Sequence, residues 1–553
     1  MTAEMSTSQK AVSNGTLFLV ACLLVPLSLR AQSKSAAPVR EDLGNLHHPI
    51  ETANPEAQRL FDEGLTLVYG FNHEEAIRRF QRATALDPKT AMPLWGIALA
   101  LGPNINLDVD PDREKQAYAA EQKALALASA APESERAYIE ALAKRYSSDP
   151  KADLRRLAVD YASAMREVLH NHPDDLDAAA LFAESLMDLH PWQLWTLDGK
   201  PGENTEEIIS VLEVALRRDP NHIGANHYYI HTMEASPHPE VALPSALRLE
   251  TLVPSAGHLV HMPAHIYQRT GNYARAALAN ERGAAADRAY LAAGGRQHGM
   301  YGMMYYSHNL HFLAASFMME GRLAAAREAA AKLSDYVRPG LAMMPFVESF
   351  LIWPTFVELR FARWNEIQRL PAPDAKLVMS YYFWHFARGS AFAATKHLDQ
   401  ARSERAAMET LRKDVPAGPA FGMLFNDASV LLDIAANSLD ARIAFAAGDH
   451  ADAITSWQKA VAIEDGMSYN EPEDWYYPVR ESLGTALLLD GRAAEAETVF
   501  REDLNRHQRN PRSLFGLWQS LAAQKKLSDA DWVHRQFLTA WRLADVKLSV
   551  ADF

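Results

Sequence analysis

A spacing of 34 residues recurs along this chain and constrains its fold more than any other feature. Pro220 and Pro254 stand 34 apart, as do His227 and His261, and His231 and His265. A repeat of that length holds two helices and a turn, and such a unit buries its apolar face only by stacking on its neighbours. Other positions keep their place within the repeat. Gly271, Gly321, Gly448 and Gly491 are each followed five residues later by Ala276, Ala326, Ala453 and Ala496, and Trp457 and Phe500 stand nine residues after the last two glycines. Small residues let paired helices approach, and an aromatic ring fills the angle between them. With 26 glycines and 29 prolines in 553 residues, and Ala-rich runs such as 323–333, the composition favours helix over sheet and excludes a β sandwich or barrel.

Residues 57–90 carry Gly64, Ala76, Phe80, Ala83 and Pro88 with helix-period apolar residues between them, and the next helix offers Leu94, Ile97, Ala98 and Leu101 at matching positions. This register resembles the tetratricopeptide (TPR) repeat over most of residues 55–545, with six or more repeats. The resemblance implies an all-α chain, a right-handed α-solenoid of TPR-like helix pairs whose first helices line a concave groove. Single repeats depart from the pattern: Glu63 stands where an apolar residue is usual, Asn280 where an aromatic is usual, and the repeat holding Gly321 starts 16 residues late. The delay places an insertion at 289–305, a candidate flap rich in glycine and tyrosine. The expected organisation is a signal peptide at 1–31, a linker at 32–54, an N-terminal array with a His-rich groove at 55–288, the insertion, and a C-terminal array at 306–553.

The signal-peptide expectation rests on Lys10, the apolar run Leu17 to Leu29, and the following Arg30-Ala31-Gln32-Ser33, with cleavage near Ala31. It predicts an exported protein, periplasmic or extracellular. The run is short for a membrane span; contact with a membrane is expected only through an uncleaved signal or a lipid on Cys22. Cys22 is the only cysteine, so a mature chain has no thiol, and any metal site must use His, Asp, Glu or Met. A formal charge of −14 gives no footing for a polyanion, which excludes nucleic acid as an expected partner. Walker, dinucleotide, nucleophile-elbow and His-Glu-x-x-His motifs are absent. Asp108, Asp110 and Asp112 have calcium-loop spacing, but Arg113 replaces the required glycine and Ala119 the closing glutamate.

Seven of the 21 histidines fall between His222 and His265. His227 and His231 form an i, i+4 pair on one helix face, and His261 and His265 repeat that pair one period later. In the TPR register these are the fifth and ninth positions of successive repeats, which in TPR proteins face the groove. His258 takes the second position. One repeat on, His308 and His311 take the second and fifth positions, and one repeat back Glu184 takes the ninth. Glu234 follows His231 by three residues on the same stripe. His238 and His298 are weaker candidates, and Pro191-Trp192-Gln193-Leu194-Trp195 is a candidate wall. Pro263 is expected to break a backbone hydrogen bond and aim His258 and His265 at different targets.

The pattern points to a transition metal held by His227, His231, His261 and His265, with His258, His308, His311, Glu184 and Glu234 as further or outer ligands. Imidazole suits zinc, copper, iron or nickel rather than calcium or magnesium. A water on an open position, with Glu184 or Glu234 as general base, would then make the chain a metalloenzyme. Two metal-free alternatives stand beside this reading: a TPR scaffold for a protein or peptide, and a pH-sensitive groove for an acidic peptide. The motif His258-x-x-His261-Met262-Pro263-x-His265, with Phe71-Asn72-His73 and Trp475-Tyr476-Tyr477-Pro478, resembles a class of bacterial exported TPR proteins. That resemblance implies fold, not mechanism.

Overall fold

The computed structural model describes residues 42–415 and 426–553. The signal-peptide reading, Cys22 and the first part of the expected linker lie outside these residues. The described residues form an all-α solenoid of TPR-like helix pairs, with two isolated bridges and no named strand. No helix among them is long and apolar enough to cross a membrane.

Two wedges explain how the pairs pack. Phe80 is fully buried between Gly64 on its partner helix Pro55–Tyr69 and Gly96 on the following helix Met92–Leu101; a Cβ on either glycine would collide with the ring. Near the other end Phe500 sits in the same way between Gly484 and Gly516. The glycines set the distance between helices and the ring sets their angle. The turns between helices need a left-handed residue. Gly271, Gly321, Gly448 and Gly491 supply it at φ of 69°, 74°, 88° and 82°, where a side chain would cost about 1 kcal/mol or more.

The array curls until both ends touch its middle. Residues 42–54 form no helix, yet Leu43, His48 and Ile50 are buried, and Asp42 exchanges hydrogen bonds with Ser255 at 2.9 and 3.0 Å. Tyr69 lies so close to Gly224 that a Cβ there would meet its ring. From the other end, the carbonyl of Gln508 accepts from the Tyr273 hydroxyl at 3.1 Å, and the N–H of Asp545 donates to the carbonyl of Gly321 at 3.1 Å. A long loop, residues 466–479, enters the interior with Glu471, Trp475, Tyr476 and Tyr477 buried. This closure seals the inner face of the middle repeats.

Candidate metal centre

The first helix of one middle pair, Ile223–Glu234, is buried along its whole length. Its start is capped by His222, whose Nδ1 accepts from the N–H of Ala225 at 3.1 Å. His227 and His231 lie one turn apart on its inner face, with ring centroids 4.7 Å apart. In the next pair the equivalent helix is split into Gly257–His261 and Pro263–Arg269, because Pro263 has no N–H to continue the ladder. His258 leans back toward His227, their Nε2 atoms 3.2 Å apart, while His265 faces His261, Nε2 to Nε2 at 2.8 Å. The expected divergence of His258 and His265 is present.

Two sets of three imidazoles result. His227, His231 and His258 form one, and His261, His265 and His308 the other, with the ligand atoms of each set within 4.8 Å of one another. The ring of His308 lies 4.8 Å from that of His261 and 5.6 Å from that of His265. It arrives on the helix Ser307–Glu320, entered through a π-helical turn, Gly302–Tyr306. That turn presses Tyr305 onto His258 at 4.7 Å, so the end of the expected flap is packed against the imidazoles.

The outward nitrogens of four of these rings are anchored. Nδ1 of His227 meets the carbonyl of Tyr69 at 2.6 Å, that of His231 a Glu234 oxygen at 2.8 Å, and that of His261 the Asn280 side-chain oxygen at 2.6 Å. Nδ1 of His265 pairs with the other oxygen of Glu234 and lies 3.5 Å from Glu471. An acceptor oxygen on Nδ1 fixes the proton there and turns a bare Nε2 inward. Nε2 of His231 and Nδ1 of His258 and His308 are buried without a hydrogen-bond partner among the described residues.

Burial drives the charge states. It holds His227, His258, His261 and His308 well below the ordinary histidine range, with neighbouring imidazoles adding to the effect, and lowers His231 despite Glu234. These rings are neutral and keep their lone pairs. For His265 burial acts the same way, but Glu234 and Glu471 outweigh it and raise the ring. Burial would likewise raise Glu234, yet His265 and His231 pull it below the ordinary carboxylate range. Glu234 therefore serves as an orienting anion shared by both triads; with both oxygens engaged, it is a poor general base.

The other sequence candidates lie elsewhere. His311 packs on Trp353 with centroids 4.1 Å apart and stays 6.4 Å from His308. Glu184 joins the buried Arg145–Asp188 pair rather than the imidazoles, and burial and Asp188 raise it well above its ordinary value. His238 and His298 are exposed. Residues that sequence reasoning missed are Glu471, Asn280 and Tyr69, while Phe71 stood in the Phe71-Asn72-His73 motif without a role at the site. Of these, Asn280 had left a signal, as a polar residue where the repeat expects an aromatic.

Aromatic rings close the site. Phe71, in the left-handed region at φ 55°, lays its ring 4.7 Å from His227 and 5.3 Å from His258. Its left-handed backbone belongs to the turn between helices, since Phe71 stands five residues before Ala76 as Gly271 does before Ala276. Trp192 stands 5.7 Å from His231. It lines a cavity of about 20 Å³ with Met187, Leu194, His231 and Glu234, room for a water, and also an outer cleft of about 760 Å³. On the far side, the Tyr69 hydroxyl donates to Asp177 at 2.5 Å, and Asp177 also holds His48 at 2.8 Å. The backbone of Tyr69 thus ties His227 to a second buried polar network.

No family model matches this chain, and no curated protein is similar to it in sequence. Among solved structures, the crystal structure of yeast Tom70 is 11% identical, covering 86% of this chain and 90% of that one at a TM-score of 0.29. Human IFIT1, as a dimer with m7Gppp-AAAA, is 12% identical, covering 89% of this chain and 91% of that one at a TM-score of 0.30. Likeness at that level transfers neither protein's ligand.

Proposed function

We propose that this chain is an exported α-solenoid that binds a transition metal of the imidazole-preferring class, zinc, copper, iron or nickel, through the histidines of its sealed groove. One observation carries the reading. Anchoring Nδ1 of His227, His231 and His261 on oxygen acceptors aims three Nε2 lone pairs inward, and His265, paired with Glu234, brings its Nε2 to 2.8 Å from that of His261, the arrangement that orients metal-bound imidazoles. Two nitrogens bound to one ion at about 2.05 Å with tetrahedral angles lie about 3.3 Å apart, and His227 and His258 stand at 3.2 Å. Three protein nitrogens leave an ion an open position for water, the starting point of metal-assisted hydrolysis.

The test is metal content by mass spectrometry on tag-free protein, beside the His231→Ala/His265→Ala double variant. The expected result is bound metal in the wild type that is lost in the variant. Wild-type protein that carries no metal and takes up none of the four would overturn the reading. Stripping with a chelator is expected to lower the melting temperature, since an ion at 100 times its Kd adds about 2.7 kcal/mol to the folded state. A second reading, a metal-free scaffold for a protein or peptide, draws on the outer cleft, bounded by Trp192, Arg269, Tyr469 and His507; it predicts a melting temperature indifferent to the chelator.

A further inference from the structure

The two triads are the same device built twice. His227 and His231 occupy the fifth and ninth positions of one repeat, and His258 the second position of the next. His261 and His265 occupy the fifth and ninth positions of that next repeat, and His308 the second position of the one after. In each set the i, i+4 pair turns Nδ1 to an oxygen, by a hydrogen bond for His227, His231 and His261 and by an ion-pair contact with Glu234 for His265, while Nδ1 of the third ring, His258 or His308, has no hydrogen-bond partner among the described residues. Each set is therefore completed only where two repeats stack.

The same rule ends the series on both sides. One repeat earlier, the ninth position is Glu184, but the fifth is Ala180, and the second position of the following repeat is Gly224. Gly224 has no room for a side chain, because the Tyr69 ring occupies the place of its Cβ. One repeat later, His311 holds the fifth position, but the ninth is Ala315. Glu184 and His311 are single members of sets that lack the rest, which accounts for their position outside both triads.

Resting on the metal reading above, we propose that the chain binds two ions, one in each triad, with Glu234 as the shared anion that orients His231 in one set and His265 in the other. An ion reaches its nitrogens at about 2.0–2.1 Å, so all its ligand atoms lie within roughly 4 Å of one another. Ring centroids do not separate the sets, since His231 and His258 within one are 6.1 Å apart and His258 and His261 across them 5.7 Å; the separation rests on the ligand atoms, which lie within 4.8 Å of one another inside each set. Two ions this close, tied through one carboxylate, form a dinuclear site on a repeat scaffold.

Zinc titration of the metal-free full-length chain tests this, with bound metal counted by calorimetry and native mass spectrometry. The wild type is expected to saturate at two equivalents, and His258→Ala and His308→Ala at one each. His227→Gln and His261→Gln probe the same sets from different helices and are also expected to hold one, with circular dichroism confirming that each variant keeps its helices. Wild-type saturation at any other non-zero stoichiometry would overturn the two-ion proposal while leaving metal binding standing. So would loss of all binding in a folded variant of only one triad. A wild type that binds no metal would remove both readings together.

Discussion

The inner face of the middle repeats and that of the C-terminal repeats bury polar groups equally deeply, and they resolve that burial in opposite ways. In the C-terminal part, Glu481 is 1% exposed and accepts from Arg360 at 3.0 Å and from Asn510 at 2.8 Å, while Arg512 donates to the carbonyl of Arg360 at 2.6 Å. Acid meets base, and the cluster explains itself as structure. In the middle repeats the convergent atoms are ring nitrogens, most of them on imidazoles that burial keeps neutral, with His265 raised by its carboxylates. Depth of burial does not mark a site; what marks it is a set of groups whose partners are missing in the same direction.

The largest effect is expected where charge is balanced. Glu481→Gln leaves two buried guanidiniums without their anion, and breaking a buried pair from one side costs about 3–5 kcal/mol. Urea unfolding should show that loss, with metal content unchanged; a fall in bound metal would mean that the two regions are not separate. Glu234→Gln is expected to do the reverse. It keeps the shape of the side chain but removes the anion that holds the Nδ1 protons of His231 and His265, and such outer partners contribute roughly 10–100-fold to metal affinity. Competition against a chromogenic chelator measures this, and an unchanged affinity would deny Glu234 its orienting role.

The two regions also differ in how legible they were in the sequence. The 34-residue period and the turn glycines lead directly to the helix pairs, because each repeat packs by the same local rule. The histidine pairs were legible for the same reason. Glu471 was not, because it reaches His265 through a loop that enters only when the array curls closed, and periodicity carries no record of that closure. Nor was Tyr69, which contributes a backbone carbonyl. Asn280 departed visibly from the repeat, and its reason is the hydrogen bond to His261. Glu184 aligns with the histidine row by position but lies beside Arg145 and Asp188, because alignment to a row says nothing about whether the other members of a set are present. The pairing of Arg360 with Glu481 is not announced by the repeat either, since it joins segments far apart in the chain.

A smaller effect is expected from pH, and it links the two regions through the loop that covers the site. His507 is held between Asp503 at 2.7 Å and Glu473 at 2.7 Å, and Glu473 lies on the same loop as Glu471. Burial opposes charge on His507, but the two carboxylates outweigh it and raise its pKa well above the ordinary 6.5. A raised histidine contributes its full stability below about pH 6.5, where folded and unfolded chains are both protonated. Above that the unfolded chain releases its proton first, so the contribution falls by at most about 1.4 kcal/mol per pH unit until the folded value is passed. On metal-free protein, where ligand titration does not interfere with metal binding, wild type should be more stable than His507→Gln at pH 6, and the gap in urea midpoint should narrow by pH 9. A gap that stays constant would mean that the charge of His507 does not hold the loop, and that its other contacts, the packing of Trp475, Tyr476 and Tyr477 among them, keep the imidazoles covered.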